Sequence, residues 1–303
     1  ATPLRLLSAA AKKVRRGVNT RVEIPDFTRR RDEIGHLSGS LRDMTGALYK
    51  RIDAIEAFAA DVSHELKNPL TSLRSAVETL GYVKTDEQRQ RLFDIVKHDV
   101  KRMDRLITDI SDASRLDAEL SRSESAPVDV AKLLGAIVLL SNETAKADDA
   151  EALLHVQPPG PGQTQDTAYR ILGQDSRLSQ VFRNLIDNAR SFTAPQTKIL
   201  VRLRRVSGDL EVRVEDSGPG IRPENLERVF ERFYTDRPEQ SFGKNSGLGL
   251  AISRQIVDAH KGRIWAENRE GRAGPDGTRP ILGARFIVRI PLLAADWAPP
   301  SRA

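Results

Sequence analysis

No cysteine occurs in the 303 residues. This excludes disulfide frameworks, thiolate zinc sites and thiol nucleophiles, and permits a reducing compartment. Long apolar runs are also missing. The longest, Leu133 to Leu140, falls well short of the ~18 residues a bilayer span needs. The sequence opens on Ala1, with no Met and no signal-type apolar stretch ahead of it, so it reads as a fragment cut from something longer. What is present suffices for a folded core: apolar residues make up 39%, and the length corresponds to roughly two domains of about 150 residues each.

An excess of one charge is absent from most of the chain. Residues 1–50 hold 11 Lys/Arg against 5 Asp/Glu, which accounts for the whole net charge of +6; the rest of the chain balances at 37 of each sign. A basic surface spread over the molecule would point to nucleic acid, which is not expected here. A basic stretch confined to one end fits a segment just inside a membrane, with a plain solvated charge run as the alternative.

The first 50 residues read as a short helix carrying Leu4, Leu7 and Ala11, an extended connector from Val22 to Phe27, and a second periodic segment starting near Asp32. Apolar residues then continue in steps of three and four from Ile34 to Leu80, with only Pro69 as a breaker. After Gly81 a second long helix runs from about Asp86 to Asp117, with Leu92, Val96, Met103, Leu106, Ile110 and Ala113 on one face. Two long helices joined by a short turn make an antiparallel hairpin, and two copies packed as a four-helix bundle would cover its seam, so a homodimer is expected. Ser121 to Pro127 reads as a linker, and Gln157 to Gln165 as a loop. Beyond the linker, helices are expected near Val130–Ala147, Ser176–Phe192 and Gly249–Ala259, with strands at Lys198–Val206, Leu210–Asp216, Gly262–Asn268 and Ala284–Pro291.

At 100° per residue, His64 lies on the opposite side of its helix from Ile55, Ala59, Val62 and Leu66, and so faces water. Glu65 is adjacent, and Asn68 follows one turn later on the same face. The zincin pattern needs a second His where Asn68 stands, so a zinc site is refused. The run Phe58-Ala-Ala-Asp-Val-Ser-His64-Glu65-Leu-Lys-Asn68-Pro69 resembles the phosphoacceptor box of sensor histidine kinases. The residues suit that chemistry: a neutral imidazole can attack a phosphoryl group, and a neighbouring carboxylate can take the proton of the other ring nitrogen. His64 is the expected nucleophile and Glu65 the base. The resemblance further implies that Asn68 orients water for dephosphorylating a partner. Pro69 removes one helix hydrogen bond just after the site and is expected to bend or loosen the helix.

In the helix from Ser176 to Phe192, Asn184 and Asn188 share a flank one turn apart. The string Asn184-Leu-Ile-Asp-Asn188-Ala resembles the N-box of kinase- and gyrase-type ATPases, which implies Asn188 as the Mg²⁺ ligand with Asn184 supporting; an amide carbonyl oxygen is a suitably hard donor. Arg190 is a candidate to reach phosphate and Phe192 to line the base pocket. Strand parity from Leu210 through Val214 turns Asp216 to the buried side, where its carboxylate could accept from an adenine amino group. Gly218 and Gly220 would let a ligand approach the backbone. Gly247, Leu248 and Gly249 open a helix and offer N–H groups to phosphate, with Lys244 just before them. A P-loop and a Rossmann fingerprint both fail on spacing and on the lack of a preceding strand.

Four elements stand in order: the N-box, Asp216-Ser-Gly218-Pro-Gly220, the aromatic-rich Phe230 to Tyr234, and Gly247-Leu-Gly249-Leu. They resemble the ATP-binding domain of a histidine kinase, and residues 1–50 resemble a HAMP signal-relay module. Within the family the chain most resembles the envelope- and acid-stress sensors of alphaproteobacteria. The resemblance implies a multidomain protein. A HAMP-like relay spans 1–50, an all-α dimerisation and phosphotransfer hairpin 51–122, and an α+β two-layer sandwich of the gyrase/Hsp90/histidine kinase type 127–293, ahead of a tail at 294–303. It also implies ATP and Mg²⁺ as cofactors, autophosphorylation of His64, transfer to a response regulator receiver domain, and phosphatase activity toward that regulator. It places this chain as the cytoplasmic portion of an inner-membrane protein whose transmembrane region is missing here. Two other readings are an ATPase clamp of the gyrase or chaperone type, which has no need of the His64 box, and a non-catalytic dimeric scaffold, against which Asn188, Asp216 and the glycines argue.

Overall fold

The computed structural model describes residues 2–17, 21–122, 125–160, 164–234, 246–274, 277 and 279–294. The chain divides into two compact units, 1–68 and 69–303.

The first unit begins with α1 (Thr2–Arg15). Leu7 and Ala10 turn inward and are buried with Ile24 of the extended connector, and Val14, Val22, Phe27, Ile34 and Leu41 pack around them. Helix α2 (Glu33–Leu80) starts where Asp32 Oδ1 accepts a hydrogen bond from Gly35 N at 3.1 Å, satisfying one of the open N–H groups of a helix start. A hydrogen bond from Arg30 holds the Asp32 carboxyl down at about 2. The connector is fastened to α2 by Ser38, whose buried Oγ accepts from Phe27 N at 3.0 Å and donates to Pro25 O at 2.8 Å. Two backbone groups in a segment without regular structure are thereby paired. Helix α2 passes through Pro69 and ends at Leu80.

In the second unit α3 (Asp86–Arg122) carries two apolar stripes. Leu92, Val96, Met103, Leu106, Ile110 and Ala113 are buried or half-buried. Phe93, Val100 and Ile107, each one heptad from the next, are 45%, 52% and 54% exposed. On α2, Leu70 and Val77 repeat the pattern at 51% and 59%. Among the described residues, no helix is long and apolar enough to cross a membrane.

The rest of the chain runs β1 (Ala126–Asp129), α4 (Val130–Glu143), β2 (Glu151–Val156), α5 (Gln165–Ala168), β3 (Arg170–Gly173), α6 (Asp175–Phe192), β4 (Lys198–Val206), β5 (Asp209–Glu215), α7 (Gly249–Ala259), β6 (Arg263–Glu270) and β7 (Ile281–Pro291). The expected linker from Ser121 to Pro127 is shorter than its composition suggested. Helix α3 continues to Arg122, and β1 starts at Ala126 because it pairs antiparallel with β3, a partner more than 40 residues away. The five-stranded sheet has the order β2-β4-β5-β7-β6, with β2 parallel to β4 and all other pairs antiparallel. Asp129 opens α4 by accepting from Ala131 N and Lys132 N.

The core lies between the sheet and α4, α6 and α7. Leu134, Leu178, Val181, Phe182, Leu185, Ile252 and Ile256 meet Val201, Leu203, Val212, Val214, Phe286 and Val288, all buried. On the other face of the sheet two buried glutamates are enclosed by arginines. Glu211 accepts from Arg204, Arg213 and Arg289, each at 2.6 Å. Glu215 accepts from Arg285 at 2.8 Å, with Arg202 and Arg269 at 3.7 and 3.6 Å. Burial pushes the Glu211 carboxyl up, but the three guanidinium hydrogen bonds outweigh it and hold it at about 2.

Candidate nucleotide site and histidine helix

Within the first unit α2 presents His64 and Asn68 as exposed residues one turn apart, with Glu65 half-buried beside them. The helix is regular here, and Ser63 Oγ returns to Ala59 O at 2.8 Å. An imidazole in water next to a carboxylate is free to act as a nucleophile towards any group brought to it.

Within the second unit a cavity of about 310 Å³ lies where α6, α7, the turn after β5, and α3 meet. Its floor is set by Asp216, which is 2% exposed. Asp216 Oδ1 accepts from Gly218 N at 2.9 Å and from Ala284 N at 2.8 Å. Burial pushes its carboxyl up; those two hydrogen bonds and the charge of Arg269 oppose the shift without cancelling it. Gly283 (φ +142°) makes this approach possible, since a Cβ there would stand 2.1 Å from Asp216 O.

The far side of the cavity is the start of α7. Gly247 (φ +76°) brings the chain against Phe233, whose N donates to Gly247 O at 3.0 Å; a Cβ at Gly247 would meet the Phe233 backbone at 2.8 Å. Asn184 Nδ2 donates to Gly249 O at 3.0 Å, which ties α6 to the first turn of α7. Gly247, Gly249 and Leu250 at the start of α7 thus line the same space as Asn188.

Of the residues singled out in the sequence, Asn184, Asn188, Phe192, Asp216, Gly220, Gly247 and Gly249 line this cavity. Gly218 sits one turn-residue behind it, held to Asp216. Leu248 is buried in the core between the two lining glycines. Arg190 is a correction. Its guanidinium donates to Ala150 O, Ser141 Oγ and Asn142 Oδ1, so it braces α4 against α6 and does not line the cavity. Two positions later on α6, Phe192 does line it; a flank position alone did not fix the direction of a long side chain. Lys244 lies outside the described residues.

Sequence reasoning missed Arg105 and Asp109 of α3, and Gln180 and Asp187 of α6, all of which line the cavity. Asp187 stands beside Asn188 and could have been found from the helix face. The α3 pair gave no signal, because charged residues on a long helix read as a solvated face.

The donor set suits a nucleoside triphosphate: a buried carboxylate for an amino group, an aromatic wall at Phe192, and N–H groups at a helix start. It also suits one hard cation. Asn188 supplies a carbonyl oxygen, and among the described residues no three His, Asp or Glu converge as a metal site; most of the ligands would come from phosphate and water.

A two-layer sandwich with such a cavity, in a chain where a long helix also displays an exposed histidine, has the form of a nucleotide-binding protein. Comparison with known families agrees. The HAMP domain matches residues 1–50, the His Kinase A (phospho-acceptor) domain residues 54–119, and the histidine kinase-, DNA gyrase B- and HSP90-like ATPase residues 173–294. The chain belongs to the sensor histidine kinases, and its C-terminal domain is an ATP-binding one. It is 56% identical over 293 residues to the sensor protein ChvG of Agrobacterium fabrum, covering 96% of this chain and 48% of that protein. To ChvG of Rhizobium meliloti it is 55% identical over 294 residues, covering 96% and 50%. The chain thus spans about half the length of the curated relatives it matches. The crystal structure of histidine kinase ThkA in complex with the response regulator TrrA shares the fold at a TM-score of 0.59 and 24% identity, covering 81% of this chain and 64% of that one.

Proposed function

We propose that this chain is the cytoplasmic portion of a bacterial inner-membrane sensor histidine kinase, organised as a HAMP relay (1–50), a dimerising phosphotransfer hairpin (51–122), an ATP-binding domain (127–293) and a tail (294–303). The basic excess of residues 1–50 and the greater length of the ChvG proteins support the membrane attachment.

Asp216 receives the adenine amino group, Phe192 lies along the base, and the N–H groups at Gly247 to Gly249 hold the phosphates. Asn188, supported by Asn184, would hold Mg²⁺, which when bound would supply positive charge to offset that of the phosphate oxygens. His64 attacks the γ-phosphoryl group through one ring nitrogen: an N–P bond forms, the bond from phosphorus to the β–γ bridging oxygen breaks, and ADP leaves. Glu65 takes the proton from the other ring nitrogen. Catalysis of such a transfer is mostly positioning and charge neutralisation. His64 then passes the phosphoryl group to an aspartate carboxylate of a receiver domain, and Asn68 orients the water that later removes it.

The observation that carries this reading is the exposed His64 beside Glu65 on a regular helix, in a chain that also holds the Asp216 cavity. Incubation with γ-labelled ATP, followed by identification of the modified residue, tests it. The label is expected on His64 as an acid-labile phosphoramidate, and His64→Ala is expected to abolish it while ATP binding persists. Acid-labile label retained in that variant overturns the assignment.

A further inference from the structure

We propose that Asp109 of α3 is a selectivity residue of the nucleotide cavity: while α3 lies against α7, its carboxylate admits a diphosphate more readily than a triphosphate. This rests on the nucleotide reading above and adds a regulation to it.

Three observations place the carboxylate at the phosphate end. Asp109 lines the cavity, and so does Arg105 one turn before it. Asp109 accepts a hydrogen bond from Ser246, the residue directly ahead of the Gly247–Gly249 segment. Helix α3 packs on α7, and a second tether joins Glu119 near its end to Arg177 at the start of α6. Burial raises the Asp109 carboxyl, and the neighbouring charge of Asp112 acts in the same direction; the Ser246 hydrogen bond and Arg105 act against them. The group therefore sits where water screens its field poorly.

A γ-phosphoryl group adds negative charge at the end of the cavity that Asp109 guards, and Arg105 offsets only part of the repulsion. Removing α3 from α7 relieves it. A triphosphate in the cavity thus favours release of the ATP-binding domain from the hairpin, and ADP favours its return. By linkage, the docked arrangement must bind the triphosphate more weakly relative to ADP than the undocked one does.

Calorimetric titration of the whole 303-residue chain with ADP and with the β,γ-imido analogue of ATP, at pH 8 with Mg²⁺, tests this. Asp109→Asn keeps the shape and can still accept from Ser246. It is expected to tighten the triphosphate analogue by about five- to tenfold relative to ADP. Asp112→Asn removes a nearby charge of α3 that does not line the cavity, and is expected to leave the ratio within about twofold of wild type. An unchanged ratio in Asp109→Asn, or an equal change in Asp112→Asn, overturns the selectivity role while leaving the nucleotide site intact. Failure of the wild-type chain to bind either nucleotide overturns the site reading, and with it the role of Asp109.

Discussion

Asp216, in the turn after β5, is joined to Ala284 of β7 through a 2.8 Å hydrogen bond on Oδ1. The Gly218 bond falls on the same oxygen, so both structural contacts of the side chain use one atom of the carboxylate. Asparagine in place of Asp216 can keep an oxygen there and lose only the charge and the second acceptor. Asp216→Asn is therefore expected to fold normally and to bind ATP at least about tenfold more weakly, as for one lost charge-assisted hydrogen bond. Fluorescent-nucleotide titration alongside thermal unfolding separates the two effects. The pH dependence has a definite sign. The folded pKa is raised by burial, so the native state holds the proton more tightly than the unfolded chain. This group's contribution to stability therefore falls as pH rises from the ordinary carboxylate value of 3.8 through the raised one. The Asn variant should lack that decline.

Glu211 behaves in the opposite way. Its carboxyl is held at about 2 against an ordinary 4.5 by three arginines, Arg213 on its own strand and Arg204 and Arg289 on the two adjoining ones. The stability it gives is complete above pH 4.5 and is lost as pH falls towards 2. Glu211→Ala leaves three guanidinium groups crowded with no counter-charge, and is expected to cost about 3 kcal/mol, in line with removal of one partner from a buried ion pair. Urea unfolding at pH 7 and at pH 3 checks this. The gap between wild type and variant should narrow at the lower pH, and an equal gap at both would show that packing rather than charge accounts for the loss.

Much of this arrangement could be read from residue order. The alternation in β4 and β5 and the helical spacing of Leu178, Val181, Phe182 and Leu185 are strong local signals, and the elements stand within one or two residues of where those signals put them. Strands β1 and β3 are four residues each, too short for any period to emerge, and they exist because they pair with each other. Strand β2 was missed as well; its single parallel neighbour, β4, is what fixes it. The cavity residues on α6 and around α7 were legible because their spacing is local. Arg105 and Asp109 were not, since only the packing of α3 on α7 brings them there.

Glu65 is not among the cavity residues, so its substitution isolates proton transfer from ATP binding. Glu65→Gln preserves size and hydrogen bonding but cannot take a proton from the imidazole. Autophosphorylation is expected to slow by about 10²-fold or more, as for loss of a general base, with ATP affinity unchanged. Initial rates of label incorporation at saturating ATP give the first quantity, and nucleotide titration the second. A rate within about twofold of wild type would remove Glu65 from the base role and leave His64 to act without it.

Phe93, Val100 and Ile107 follow each other at heptad spacing on α3, as do Leu70 and Val77 on α2, and all five are about half exposed in the single chain. The neighbouring stripe from Leu92 to Ala113 is better covered, with Leu106 buried and the rest half-buried. A second stripe with its own period of seven is what a helix needs to pair with another hairpin, and two identical hairpins joined about a two-fold axis would cover both copies at once. Val100→Lys places a charge in that seam twice per dimer. Taking about 2 kcal/mol for each buried apolar side chain lost, the two copies together weaken association by about a thousandfold. Sedimentation equilibrium should then find wild-type chains as dimers and the variant largely as monomers, while Lys101→Glu, one residue along and already exposed, should leave the dimer intact. If Val100→Lys sediments as wild type does, the exposed stripe is not the dimer interface, and the pairing must be sought in the first 50 residues instead.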